Sequence, residues 1–244
     1  MRSFVAAFRF LTRLPVPGPE TRLEDLAPAV GWFPLVGAMV GFLTVGAYWG
    51  ARHLWEPPVA AVVAIAFGLL VTGGFHEDGL TDATDGLGGG WSRERVLEIM
   101  KDSRIGAYGA MALWCLLALR WATLAQLDAR ALGVLPLVMV FGRWSISVIL
   151  VALPPIGQGL AKEVHGRGQW RTLVHASLIL VVALAIAAVL RMPGLVAMGA
   201  AAAGTVGLWI LYLRHRLGGH SGDLLGAGSQ LVESAVLLAA LARA

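Results

Sequence analysis

Apolar runs of about 20 residues, long enough to cross a hydrocarbon core of roughly 30 Å, recur along the chain. They lie near 30–50, 57–75, 107–125, 132–153, 172–190, 194–213 and 224–242. The pattern predicts an all-α polytopic membrane bundle of about seven transmembrane helices, forming a single domain over 1–244. Glycine and proline inside several runs are compatible with this, because packed neighbours re-satisfy the backbone groups they free. Ahead of the first run, residues 3–14 put Phe4, Phe8 and Leu11 on one helical face and Arg9 and Arg13 on another. That is the pattern of an interfacial amphipathic helix. Pro15, Pro17 and Pro19 end it.

Composition strengthens the membrane reading. Of 244 residues, 57% are hydrophobic and only 14% charged, so too little polar surface exists to coat a water-soluble globule. The 31 glycines suit helices packed in lipid. Gly37/Gly41 and Gly46/Gly50 are small-xxx-small steps in the first run, fitted to packing within the chain or across a homodimer seam. The lone Cys115, in an apolar run, excludes an intrachain disulfide. Arg9 and Arg13 interrupt the N-terminal apolar stretch, which argues against a cleaved signal.

The net charge of +4 reads as topology and contact with lipid head groups, with no nucleic-acid partner. With the N-terminus in the cytoplasm, thirteen Lys and Arg fall inside: four before the first run, four in 76–106, three after the fourth run and two after the sixth. Five fall outside: Arg52, Arg120, Arg130, Arg191 and Arg243. The bias predicts a cytoplasmic 76–106 segment, expected to be a loop.

That segment holds the candidate chemistry. Asp78, Asp82 and Asp85 are spaced i, i+4, i+7, so on a helix they would share one face. Residues 76–104 carry seven acids against four bases, and nothing within the aspartate run neutralises it. A hard divalent cation, Mg²⁺ with Mn²⁺ as a substitute, would resolve the repulsion; the alternative is a solvated acidic loop with helix caps. Lys101 and Arg104, close downstream, are candidate phosphate clamps. Gly218–Asp223, on the same predicted side, is either an anion-binding turn with a carboxylate or a capped helix start. Arg143 and Glu233 are charges inside predicted spans, functional or simply paired with each other.

These residues resemble the cobalamin synthase family, the adenosylcobinamide-GDP ribazoletransferases. The matching stretches are Phe10–Pro17, Gly73–Leu87, Leu97–Gly106 and Gly222–Ala227, in the family's order. Glu77 stands where the family more often has an apolar residue. The resemblance implies a multi-pass protein of the bacterial inner membrane. Its substrates would be adenosylcobinamide-GDP and α-ribazole or α-ribazole 5′-phosphate, with GMP released. It implies Asp78 and Asp82 as metal ligands, and Asp85 as third ligand or base. It also implies a substrate-binding set of His76, Lys101, Asp102, Arg104, Gly222 and Asp223, to which Arg143 and Glu233 are added as charges inside predicted spans. The alternatives are a CDP-alcohol phosphotransferase, whose aspartates are spaced more widely, and a cation transporter.

Overall fold

The computed structural model describes residues 1–127, 133–156 and 169–242. Regular structure among them is helical, apart from one isolated parallel bridge between Pro155 and His220. In chain order the helices are α1 (Arg2–Leu11), α2 (Leu23–Ala29), α3 (Phe33–Arg52), α4 (Pro57–Thr72), α5 (Phe75–Gly89) and α6 (Arg93–Ile99). They continue with α7 (Ala107–Leu124), α8 (Val134–Ala152), α9 (Gln169–Val189), α10 (Leu195–Arg216) and α11 (Gly222–Leu241). Lys162, Arg167, Arg130 and Arg243, which enter the charge count, lie outside the described residues.

Six helical segments among the described residues are long and apolar enough to cross a membrane: Leu23–Arg52 and helices α7 to α11. The seventh predicted span is different. Helix α4 has 16 residues and reaches only about 24 Å, so alone it falls short of the hydrocarbon thickness. It qualifies only together with α5, from which it is bent by 90°. Gly73 and Gly74 make that corner, with φ of 70° and 66°, a left-handed conformation that glycine adopts without a Cβ clash.

The expected loop over 76–106 is therefore corrected. Residues 75–89 form a helix and 93–99 another, leaving only short connections. Glycine and aspartate are poor helix formers, so nothing local marks this segment as helical. Its helicity comes from burial: Leu80 and Ala83 are packed inside, the helix lies against α7 and α11, and Gly86 meets Val96 and Met100 of the α6 segment.

Helices α8 and α11 form the buried centre, while α9 and α10 turn apolar side chains such as Val181, Val182, Leu208 and Leu211 outward. In a membrane bundle those side chains face lipid. The first small-residue step is used within the chain: a Cβ at Gly37 or Gly41 would lie 2.5 Å from Met139 or Pro136 of α8. Gly46 and Gly50 have nothing within 4 Å.

Helix α1 is amphipathic as read, and its apolar face is covered by protein: Val5, Phe8 and Leu11 are buried. Phe10 stacks on Phe33 of α3 at 5.7 Å and meets Phe75 of α5 edge-on at 5.4 Å. Arg9 donates to the carbonyls of Val16 (2.9 Å), Gly18 (3.0 Å) and Pro19 (2.7 Å), clamping the proline-rich turn. At the same end of the bundle, Arg216 donates to the carbonyls of Trp91 and Gly90, and Arg214 to that of Ala152. The ends of α5, α8 and α10 are thus tied together where α11 begins.

Candidate active site

Asp78, Asp82 and Asp85 come from one helix, and the structure gives them different surroundings. Asp78 is exposed, Asp82 half-buried and Asp85 buried. Burial, with the carboxylates of Asp78, Asp223 and Asp85 nearby, pushes Asp82 up to about 6. Helix α5 lies beyond the corner, outside the six helical segments long enough to span on their own.

Asp85 is committed to the fold. Its two oxygens accept the backbone N–H groups of Gly106 (2.7 Å) and Gly109 (2.8 Å) at the start of α7. A carboxylate there satisfies orphan donors and complements the positive end of the helix dipole. A Cβ at either glycine would strike the Asp85 carboxylate. As a third metal ligand or free base, Asp85 is thus less available than its spacing suggests, because it pins the Lys101–Gly106 connection to α5.

Asp223 arrives from across the bundle. Ser221 caps α11 by accepting the N–H of Leu224 at 3.4 Å, which sets Asp223 in the first turn. Helix α11 crosses α5 at glycines: a Cβ on Gly79 would sit 3.1 Å from the Asp223 Cα, and one on Gly226 3.6 Å from the Gly79 Cα. The two motifs, some 140 positions apart, therefore share one place. Asp78 and Asp82 also line an open groove of about 1150 Å³, together with Ser103, Arg13 and leucines such as Leu70 and Leu117.

The remaining expected residues divide. Lys101 is exposed beside the site. Arg104 grips Asp102 through two donors, at 3.0 and 2.6 Å. These hydrogen bonds hold the Asp102 carboxyl down at about 2. His76 is 1% exposed, and both ring nitrogens lack a hydrogen-bond partner. Gly222 is exposed at the start of α11.

Arg143 and Glu233 are deep in the bundle and pair with each other, the second alternative the sequence left open. They belong to a larger network. Arg120 donates to Glu77 at 2.7 Å and to Glu233 at 2.6 Å, and also reaches Gln230. Arg143 reaches Ser229 at 3.3 Å. Two guanidiniums meet two carboxylates, so the interior charge sums to zero. Sequence reasoning missed this because Arg120 was counted as an outside flank. The structure corrects that placement: its side chain is 14% exposed and points into the bundle. The available signal was Glu77, a carboxylate at an expected apolar position that required a partner.

A magnesium ion typically takes one or two carboxylates and fills its other positions with water and substrate phosphate. Among the described residues, no three acidic, imidazole or thiol groups converge as a closed cage. The half-buried Asp82 and exposed Asp78 on a groove wall, with Asp223 close by, fit an ion shared with a substrate.

The model of the family described as cobalamin-5-phosphate synthase matches residues 3–241. An adenosylcobinamide-GDP ribazoletransferase of Rhizobium etli is 41% identical over 252 residues, covering 96% of this chain and 94% of that protein. One of Leptothrix cholodnii is 38% identical, covering 99% and 95%. One of Shewanella piezotolerans is 34% identical, covering 94% and 91%. No solved structure matches. With a family match across nearly the whole chain and relatives of this identity, the chain belongs to the cobalamin-5-phosphate synthase family.

Proposed function

We propose that this chain is a membrane-embedded adenosylcobinamide-GDP ribazoletransferase. It joins adenosylcobinamide-GDP to α-ribazole, or to its 5′-phosphate, giving adenosylcobalamin or its 5′-phosphate and GMP. The observation that carries this is the meeting of the α5 aspartates with Asp223 beside an open groove. It occurs in a chain whose relatives bear that name. The comparisons favour this reading over a CDP-alcohol phosphotransferase or a cation transporter.

In the reaction the ribose 3′-hydroxyl of α-ribazole forms a P–O bond to the cobinamide-linked phosphorus, the P–O bond to GMP breaks, and the hydroxyl proton is released. Asp78 and Asp82 would hold Mg²⁺, which when bound neutralises charge on the phosphate oxygens. Asp223 would complete the site from α11 and leave a carboxylate near the attacking hydroxyl. Lys101 faces phosphate as a mobile point charge. Asp85 holds the Lys101–Gly106 connection in register. Such chemistry depends mainly on positioning and charge neutralisation, which two rigid helices crossing at glycines supply.

The distribution of charge supports a cytoplasmic site end. With Arg120 removed from the outside count, thirteen basic residues face four. Purified protein in detergent or liposomes, given both substrates and Mg²⁺, is expected to release one GMP per cobalamin product. Absence of GMP release from folded protein would sink the assignment.

A further inference from the structure

Arg13 stands just beyond α1, and its backbone N–H donates to the carbonyl of Val71 at 2.7 Å, fixing it against the end of α4. Its side chain lies across Gly73. A Cβ at Gly73 would collide with the Arg13 Nε and sit 3.1 Å from both Cδ and Cζ. The corner glycine thus has two separate reasons to lack a side chain: its left-handed backbone and the arginine resting on it.

Arg13 lines the same groove as Asp78 and Asp82. Among the described residues its guanidinium has neither a hydrogen bond nor an ion pair. The other arginines near the site differ. Arg9 also borders the groove but is spent on three carbonyls, and Arg104 is held by Asp102. An unengaged, exposed guanidinium on a groove wall presents up to five donors in a fixed fork, the geometry that matches phosphate.

Resting on the reading given above, we propose that Arg13, seated on Gly73, grips the diphosphate of the nucleotide-activated substrate directly. The assignment moves the guanidinium clamp from Arg104, where the sequence put it, to the N-terminal segment. It also gives α1 a reason to be packed against α3 and α5 instead of lying free in the interface.

Phosphate chemistry here has two sources, the substrate and a phospholipid head group. The test uses full-length wild type, Arg13→Gln and Arg13→Lys in phospholipid-free detergent micelles. Arg13→Gln is expected to raise KM for adenosylcobinamide-GDP, or lower kcat/KM for it, roughly tenfold or more, the size of one charge-assisted contact. KM for α-ribazole should stay within about threefold, and Arg13→Lys should fall between wild type and Arg13→Gln. Equal kinetics for all three proteins without lipid would overturn the proposal; a defect seen only in anionic vesicles would assign Arg13 to a head group and overturn it as well. A binding arm needs no turnover. Calorimetric titration with magnesium pyrophosphate should show weaker binding by about tenfold in Arg13→Gln. If wild type releases no GMP while pyrophosphate binding depends on Arg13, the transferase reading falls and the anion clamp stands. Equal pyrophosphate affinity in wild type and Arg13→Gln overturns the clamp.

Discussion

A Cβ added to Gly79 would lie 3.0 Å from the carbonyl oxygen of Asp223 and 3.1 Å from its Cα, so α5 and α11 meet backbone to backbone. Any side chain larger than hydrogen at Gly79 has to push Asp223 away from Asp78 and Asp82. Gly79→Leu is expected to lower turnover at least a hundredfold and to destabilise the bundle, with overpacking costing about 1–3 kcal/mol or more. Gly46→Ala, with nothing within 4 Å, is the control and should keep wild-type turnover. Steady-state rates and thermal unfolding in one detergent check both; near-normal turnover in Gly79→Leu would mean that the helix contact does not set the site.

Asp78→Asn and Asp82→Asn should each remove turnover by about a thousandfold or more, while leaving extraction and unfolding temperature near wild type. The aspartates sit on the groove wall, where the amide is close to isosteric and removes mutual repulsion. If Asp82→Asn keeps its rate at limiting Mg²⁺, Asp82 is not a metal ligand.

Asp223→Ala is expected to cost orders of magnitude in turnover. Adding Asp78→Ala to it should cost little more, because groups acting as one unit are non-additive. Multiplicative losses in the double variant would show that Asp223 and Asp78 act separately.

The buried network makes a stability prediction. Arg120→Met leaves Glu77 without its guanidinium and Glu233 with one fewer, and breaking a buried pair costs about 3–5 kcal/mol. The double variant Arg120→Met/Glu77→Gln should recover part of that loss, since no carboxylate at position 77 is then stranded. Chemical or thermal unfolding in detergent reads this directly. A single-variant loss below about 1 kcal/mol, the range of exposed pairs, would show that water reaches the network.

Orientation is tested by single cysteines at Glu56 and Gly89 in a Cys115→Ser background. Gly89→Cys should label only from the cytoplasm and Glu56→Cys only from outside. Labelling of Gly89→Cys in intact cells by an impermeant reagent would invert the topology.

Much of this architecture was legible in the chain. Runs of about 20 apolar residues mark spans directly, because lipid leaves few alternatives to helix. The aspartate spacing also pointed to a shared helical face, provided that a helix forms. What stayed hidden was why one forms there, since glycine and aspartate favour loops and only packing against α7 and α11 overrides them. The same gap hid the separate fate of Asp85, which depends on a helix end 21 residues away in sequence. Arg120 was misread for a related reason: charge counts follow position along the chain, whereas the direction of a side chain depends on neighbours that the count ignores. Arg13 looked like an interfacial charge until the Gly73 corner brought the groove to it.

The zero-sum interior charge has a consequence for how the protein is made. Glu77, Arg120 and Arg143 lie on α5, α7 and α8, all synthesised before α11 delivers Glu233. Until then the nascent bundle holds two guanidiniums against one carboxylate, leaving a cation stranded among apolar helices. Such an intermediate must keep water or head groups near the surplus arginine, so it stays ajar. The final helix is therefore a latch: its insertion cancels the charge. By bringing Asp223 in on the same stroke, it lets the bundle close and the site assemble as a single event.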